Sequence, residues 1–94
     1  MTNKEIIINF VNEKLSQGIH TITVRQYTTI INDLLSFNKN KSLTEITNQD
    51  INDFLKVFQK KSTKRNILII LDIFYTWLCK ENLIDNNPTK EIEV

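Results

Sequence analysis

The stretch S62-T-K-R-N-I-L-I-I-L-D-I-F-Y-T-W-L-C-K80 decides the fold of this chain. Ten of the twelve residues from Ile67 to Leu78 are apolar or aromatic, with only Asp72 and Thr76 between them. That is long for a strand, and short of the roughly 18 or more apolar residues a membrane span requires. The spacing therefore predicts a helix buried over most of its circumference, with neighbours packed around it. Asp72 and Thr76 are four apart and share a face, which extends back through Ile69 to Arg65 and forward to Lys80. This narrow polar stripe begins at a basic segment, Lys60-Lys61-Ser62-Thr63-Lys64-Arg65.

The rest of the composition agrees with helices. The 94 residues suffice for one domain, and a single Gly and a single Pro leave too little turn chemistry for a many-stranded fold. Net charge is only +1, but its distribution is uneven. Between Phe37 and Arg65, seven Lys or Arg face Glu45, Asp50 and Asp53; from Glu81 onward, four acids face only Lys90. Such asymmetry suggests a local basic patch, or simply a solvated lysine-rich face. Cys79 is the only cysteine, which excludes a disulfide framework. No signal-peptide pattern opens the chain, so a reducing, cytoplasmic setting is expected.

Outward from the central stretch, four helices are expected. The first starts at Thr2 or Asn3, where Thr2 and Glu5 have capping-box spacing, and buries Ile7, Phe10, Val11 and Leu15. Gly18 supplies its C-terminal stop. Thr23, with Gln26 as box partner, opens a second helix along Val24, Tyr27, Ile30, Ile31, Leu34 and Leu35. Its opposite face carries Arg25, Thr28 or Thr29, Asn32 and Ser36. Leu43 and Ile46 pin a turn to the core. Thr47 caps a third helix through Asp50, with Ile51, Phe54, Leu55 and Phe58 buried, and Lys60 and Lys61 close it. Ser62 or Thr63 caps the fourth, which ends near Glu81-Asn82. Leu83 and Ile84 form a latch, and residues 89–94 read as a linker or tail without packing pattern. The four helices are expected to run roughly 12 to 20 residues each.

No residue set suggests catalysis. His20, the sole histidine, has no partner at metal-ligand spacing, and no phosphate loop, nucleophile elbow or supported carboxylate pair occurs. Tyr27, Tyr75 and Trp77 sit in apolar stripes and read as core residues with polar tips near the rim. No cofactor and no metal are expected. The remaining candidate is the basic start of the fourth helix. Cations there oppose the macrodipole by roughly 0.3–1 kcal/mol each, a cost offset if an anion such as phosphate binds the same place.

The order of motifs adds to this. T23-V-R-Q-Y27, L34-L-S-F37, L43-T-E-I-T47-N-Q-D50-I-N-D-F-L55, S62-T-K-R-N66, L68-I-I-L71-D-I-F74-Y75-T-W77-L78 and N87-P88 follow in register. Together they resemble the N-terminal core-binding, or SAM-like, domain of tyrosine recombinases and phage integrases. The resemblance implies an all-α, four-helix SAM-like bundle, residues 1–88, followed from 89 to 94 by the start of a linker to a catalytic domain outside this chain. It implies one half of a clamp on core-site double-stranded DNA, non-catalytic by itself, working with other recombinase protomers while the catalytic domain forms a 3′-phosphotyrosyl link. By position, the second helix would offer Thr23, Arg25, Gln26 and Thr29 to DNA, and the fourth would offer Lys61, Thr63, Lys64 and Arg65. Arg25 and Arg65 are the candidates for a base edge. Asp72 departs from the family's polar or basic pattern and would keep the contact near the helix's first turn. A second reading is a helical protein–protein interaction domain without DNA contacts, using Ile69, Ile92 and Val94.

Overall fold

The computed structural model describes residues 1–94 and contains helices and turns only. Four α-helices, α1 (Asn3–Ser16), α2 (Thr21–Phe37), α3 (Asn48–Leu55) and α4 (Lys61–Lys80), are joined by short connections, with one 3₁₀ turn at Leu43–Glu45. The architecture is the all-α, four-helix arrangement that the central stretch implies.

Local chemistry sets most boundaries. Thr2 and Glu5 exchange capping bonds at α1: the Glu5 amide donates to Thr2 Oγ1 (3.2 Å), and the Thr2 amide donates to Glu5 Oε1 (2.9 Å). Thr47 and Asp50 repeat this at α3. Gly18, at φ +84°, ends α1 in a Schellman motif, with Ile19 N donating to Lys14 O and Gly18 N to Leu15 O. The other long helices close the same way without glycine. Lys39 (φ 54°) ends α2 and Asn82 (φ 60°) ends α4, where Leu83 N returns to Leu78 O.

Helix α4 runs through the middle of the packing. Leu71, Phe74, Tyr75 and Leu78 are fully buried, and the other helices close over them with Ile6 and Phe10 of α1, Ile31 and Leu34 of α2, and Ile51 of α3. Phe10 meets Phe74 edge-on at 5.0 Å and Trp77 at 5.3 Å, geometries that favour aromatic pairs beyond their buried area. The polar stripe is as expected: Arg65, Ile69, Asp72, Thr76 and Lys80 are all exposed.

Several expectations need correction. Helix α2 begins at Thr21, not Thr23, because the His20 side chain caps it by accepting the Ile22 amide at Nδ1 (3.1 Å). Ile6 is the buried partner of Phe10 in α1, while Ile7 is half-buried and Leu15 exposed. Helix α3 has only eight residues and stops at Leu55. Lys60 and Lys61 do not close it: Lys60 is the N-cap residue of α4 and Lys61 its first residue, and no side chain caps that end. The Tyr75 hydroxyl is not at the rim but buried, donating to Leu43 O (3.0 Å) and so fixing the 3₁₀ turn. Cys79 is half-buried.

The segment after α4 also differs from a free tail. Asn87 and Thr89 are buried, and Leu83, Ile84, Ile92 and Val94 pack against the core. Asp72 gathers the segment: Asn87 Nδ2 donates to its Oδ1 (2.8 Å), and the Thr89 hydroxyl lies 3.0 Å from the same oxygen. On α3, Asn48 Nδ2 donates to Pro88 O (3.1 Å) and Lys90 O (3.0 Å). Asp72 thus has a structural use, as the acceptor that straps the chain across α4.

Candidate nucleic-acid interface

Helices α2 and α4 pack directly on one another, and residues from the N-terminal half of each, Ile22 to Ile30 and Thr63 to Ile70, face a common space. Between them runs an open groove of about 460 Å³. Arg25, Gln26 and Thr29 line it from α2, and Thr63 and Asn66 from α4. The floor is apolar, including Ile30, Ile67 and Ile70. Spacing explains the lining: Arg25 and Thr29 are one turn apart on the outward face of α2, and Thr63, Asn66, Ile67 and Ile70 recur at three or four residues on α4.

Four of the eight residues proposed from sequence therefore meet in one groove: Arg25, Gln26, Thr29 and Thr63. Lys61 and Lys64 do not line it. They face the other flank of α4, in a cleft shared with Lys56 and the C-terminal segment. Arg65 is exposed on the outer ridge of α4 between these two flanks, as the 100° advance per residue requires. Thr23 is half-buried inside the first turns of α2 and does not line the groove. Sequence reasoning missed Ile22 and Asn66. Asn66 was accessible in principle, three residues after Thr63, while Ile22 was hidden because α2 was expected to start after it.

Electrostatics favour an anion here. The chain has two ion pairs, Lys41–Asp50 (2.8 Å) and Lys56–Asp53 (3.5 Å). Arg25, Lys60, Lys61, Lys64 and Arg65 belong to neither and donate no side-chain hydrogen bond within the chain. The first turn of α4 contains no acid and has no capping side chain, so its leading amides lack a side-chain acceptor. Unpaired cations beside such amides suit phosphate, and the hydroxyl and amide groups of the groove add short-range donors.

His20 is committed to its helix cap, and Tyr75 is enclosed, its hydroxyl held neutral well above the ordinary tyrosine range, first by burial and then by the Asp50 charge. No group of three or more His, Cys, Asp or Glu is placed to hold a metal ion. No helix is long and apolar enough to cross a membrane.

No curated protein and no solved structure matches the chain. A family model does: that of the phage integrase N-terminal SAM-like domain, which aligns with residues 6–85 and so takes in all but the first turn of α1, the whole of α2, α3 and α4, and the Leu83–Ile84 latch. With the all-helical fold and the register of motifs from Thr23 onward, this match shows that the chain belongs to the family of phage integrase N-terminal SAM-like domains.

Proposed function

We propose that this domain binds double-stranded DNA as the non-catalytic half of a recombinase clamp, in the cytoplasm and alongside other recombinase protomers. The observation that carries the proposal is the convergence of α2 and α4. Their N-terminal halves present Arg25, Gln26, Thr29 and Thr63 along one groove, and the unpaired Lys60, Lys61, Lys64 and Arg65 surround the start of α4 outside it. Family membership supports the same partner, since integrases act on DNA.

In this reading Lys61 and Lys64 neutralise phosphates and set the register of the domain on the duplex, Arg25 and Arg65 reach toward base edges, and Gln26 adds a contact beside Arg25. Thr29 and Thr63 add hydroxyl contacts. The alternative of a protein-interaction bundle is weakened by the half-burial of Ile92 and Val94, which leaves only Ile69 of its three contacts exposed.

Fluorescence anisotropy with a short labelled duplex at low salt tests the proposal. Saturable binding that weakens steeply as salt rises supports it; no binding at any salt concentration overturns it.

A further inference from the structure

One buried side-chain polar atom, and only one, lacks a hydrogen-bond partner: the indole Nε1 of Trp77. A buried tryptophan N–H ordinarily finds an acceptor. Trp77 is only 6% exposed, and it lines a cleft of about 400 Å³ between the C-terminal halves of α1 and α4. Ile73 is the other apolar side chain in the lining, and the rest is polar.

Those polar groups divide into committed and free. Asp72 Oδ1 accepts from Thr76, Asn87 and Thr89, so this carboxylate is given over to holding the strap. Lys14 Nζ donates to Gln17 Oε1 (3.3 Å) across the surface and stands 5.5 Å from the Phe10 ring centre. Glu13 and Lys80 belong to no ion pair. Two ammonium groups, Lys14 and Lys80, therefore stand against the one free carboxylate of Glu13, beside an indole N–H without an acceptor. This balance complements a single carboxylate; a polyanion would meet repulsion from Glu13 and Asp72.

We propose that the cleft is a docking site for an acidic segment of a partner protein, one carboxylate of which accepts from Trp77 Nε1 between Lys14 and Lys80. Entry requires the Lys14–Gln17 bond to part, and that bond joins exposed side chains that reorient rapidly. The indole N–H is then unpaired in the free domain and paired in the complex. On α4 the cleft begins at Asp72, beyond Ile70, where the α2–α4 groove ends. Thr63 and Trp77 are separated by roughly 21 Å of helix, so the two sites can be filled together. The docking site stands independently of the DNA-binding reading.

Trp77 is the only tryptophan, so its indole N–H gives one unambiguous cross-peak in a nitrogen-correlated proton spectrum of the 94-residue chain. The probe is the peptide acetyl-Gly-Asp-Leu-Asp-Gly-amide, with its Asn-for-Asp counterpart as control. The acidic peptide is expected to move the indole peak saturably, and the neutral one to bind several-fold more weakly. Lys80→Gln should weaken the acidic peptide about two- to five-fold, the range of one exposed charge pair. Lys4→Gln makes the same change in net charge at an exposed lysine outside the cleft, and should leave the affinity unchanged. An unmoved indole peak, equal responses to the two peptides, or equal losses in the two variants overturns the proposal. So does a short DNA duplex that moves the indole peak as the acidic peptide does, which would make the cleft a nucleic-acid contact.

Discussion

Asn87 Nδ2 lies 2.8 Å from Asp72 Oδ1, so the residue preceding the only proline is fastened to the middle of the longest helix. The exposed carboxylate that interrupts the apolar run of α4 is therefore the acceptor for a buried asparagine. The relation explains why a charge stands in that run, and it gives α4 three tasks: its core face organises the bundle, its first turn carries the cations, and its outer face holds the strap.

Removing this acceptor should be costly. Asp72→Ala takes the charged acceptor from the buried Asn87 amide, which keeps only Thr76 Oγ1 at 3.2 Å, while the Thr89 hydroxyl keeps Asn87 Oδ1 at 2.6 Å; the expected cost is about 1–3 kcal/mol. Urea unfolding should show that loss, and the amides of residues 89–94 should lose exchange protection in the native state. An Asp72→Ala protein as stable as wild type, with the strap still protected, would contradict the assignment.

Tyr75 predicts a specific response to alkali. Burial, reinforced by the Asp50 charge, raises its pKa above the ordinary 10.0. A raised folded pKa means that the stabilisation is complete below the unfolded value and declines as pH rises past it. Thermal unfolding between pH 8 and pH 11 should show this decline, starting at about pH 10. Tyr75→Phe should remove that component of the decline, while costing about 0.5–1.5 kcal/mol at neutral pH from the lost bond to Leu43 O.

Asp50 predicts the opposite slope in acid. Its hydrogen bond with Lys41, then those with Thr47, lower its pKa from 3.8. A depressed folded pKa gives stability that is present above the unfolded value and lost as pH falls through the folded one. Unfolding followed from pH 5 down to pH 2 should find wild type losing more stability than Asp50→Asn, whose curve lacks this component. Parallel curves would show that the Lys41–Asp50 pair contributes nothing.

Gly18 should resist replacement for a conformational reason alone. Its φ is +84° and nothing lies within 4 Å of where a Cβ would stand, so there is no clash to invoke. Gly18→Ala should still lose about 1 kcal/mol, measured by chemical denaturation, because a side chain disfavours this backbone region.

How far the sequence could be read depended on how local the cause was. The capping boxes at Thr2 and Thr47 and the stop at Gly18 are interactions within a few residues, and each was legible. The buried face of α4 was legible too, because its apolar run admits one periodic reading. The start of α2 was not, since a histidine rarely serves as an N-cap and Thr23 offered a conventional alternative. Nor was the start of α4, where Lys60 caps with no side-chain bond at all. The strap depends on contacts between residues fifteen to forty-two positions apart, which no periodicity announces. The candidate interface divides in the same way. Arg25, Gln26 and Thr29 share a helix face and could be grouped from spacing, but their meeting with Thr63, and the separation of Lys61 and Lys64 onto the other flank, follow from how two helices pack.

The most direct test of the DNA-binding account is the salt dependence of duplex affinity for wild type and a Lys61→Ala/Lys64→Ala/Arg65→Ala variant. These side chains are exposed or half-buried and belong to no ion pair, so the variant should fold. The account predicts weaker binding at low salt, and a plot of log K against log salt flatter by about 0.9 for each phosphate contact removed. Unchanged affinity together with an unchanged slope would contradict it.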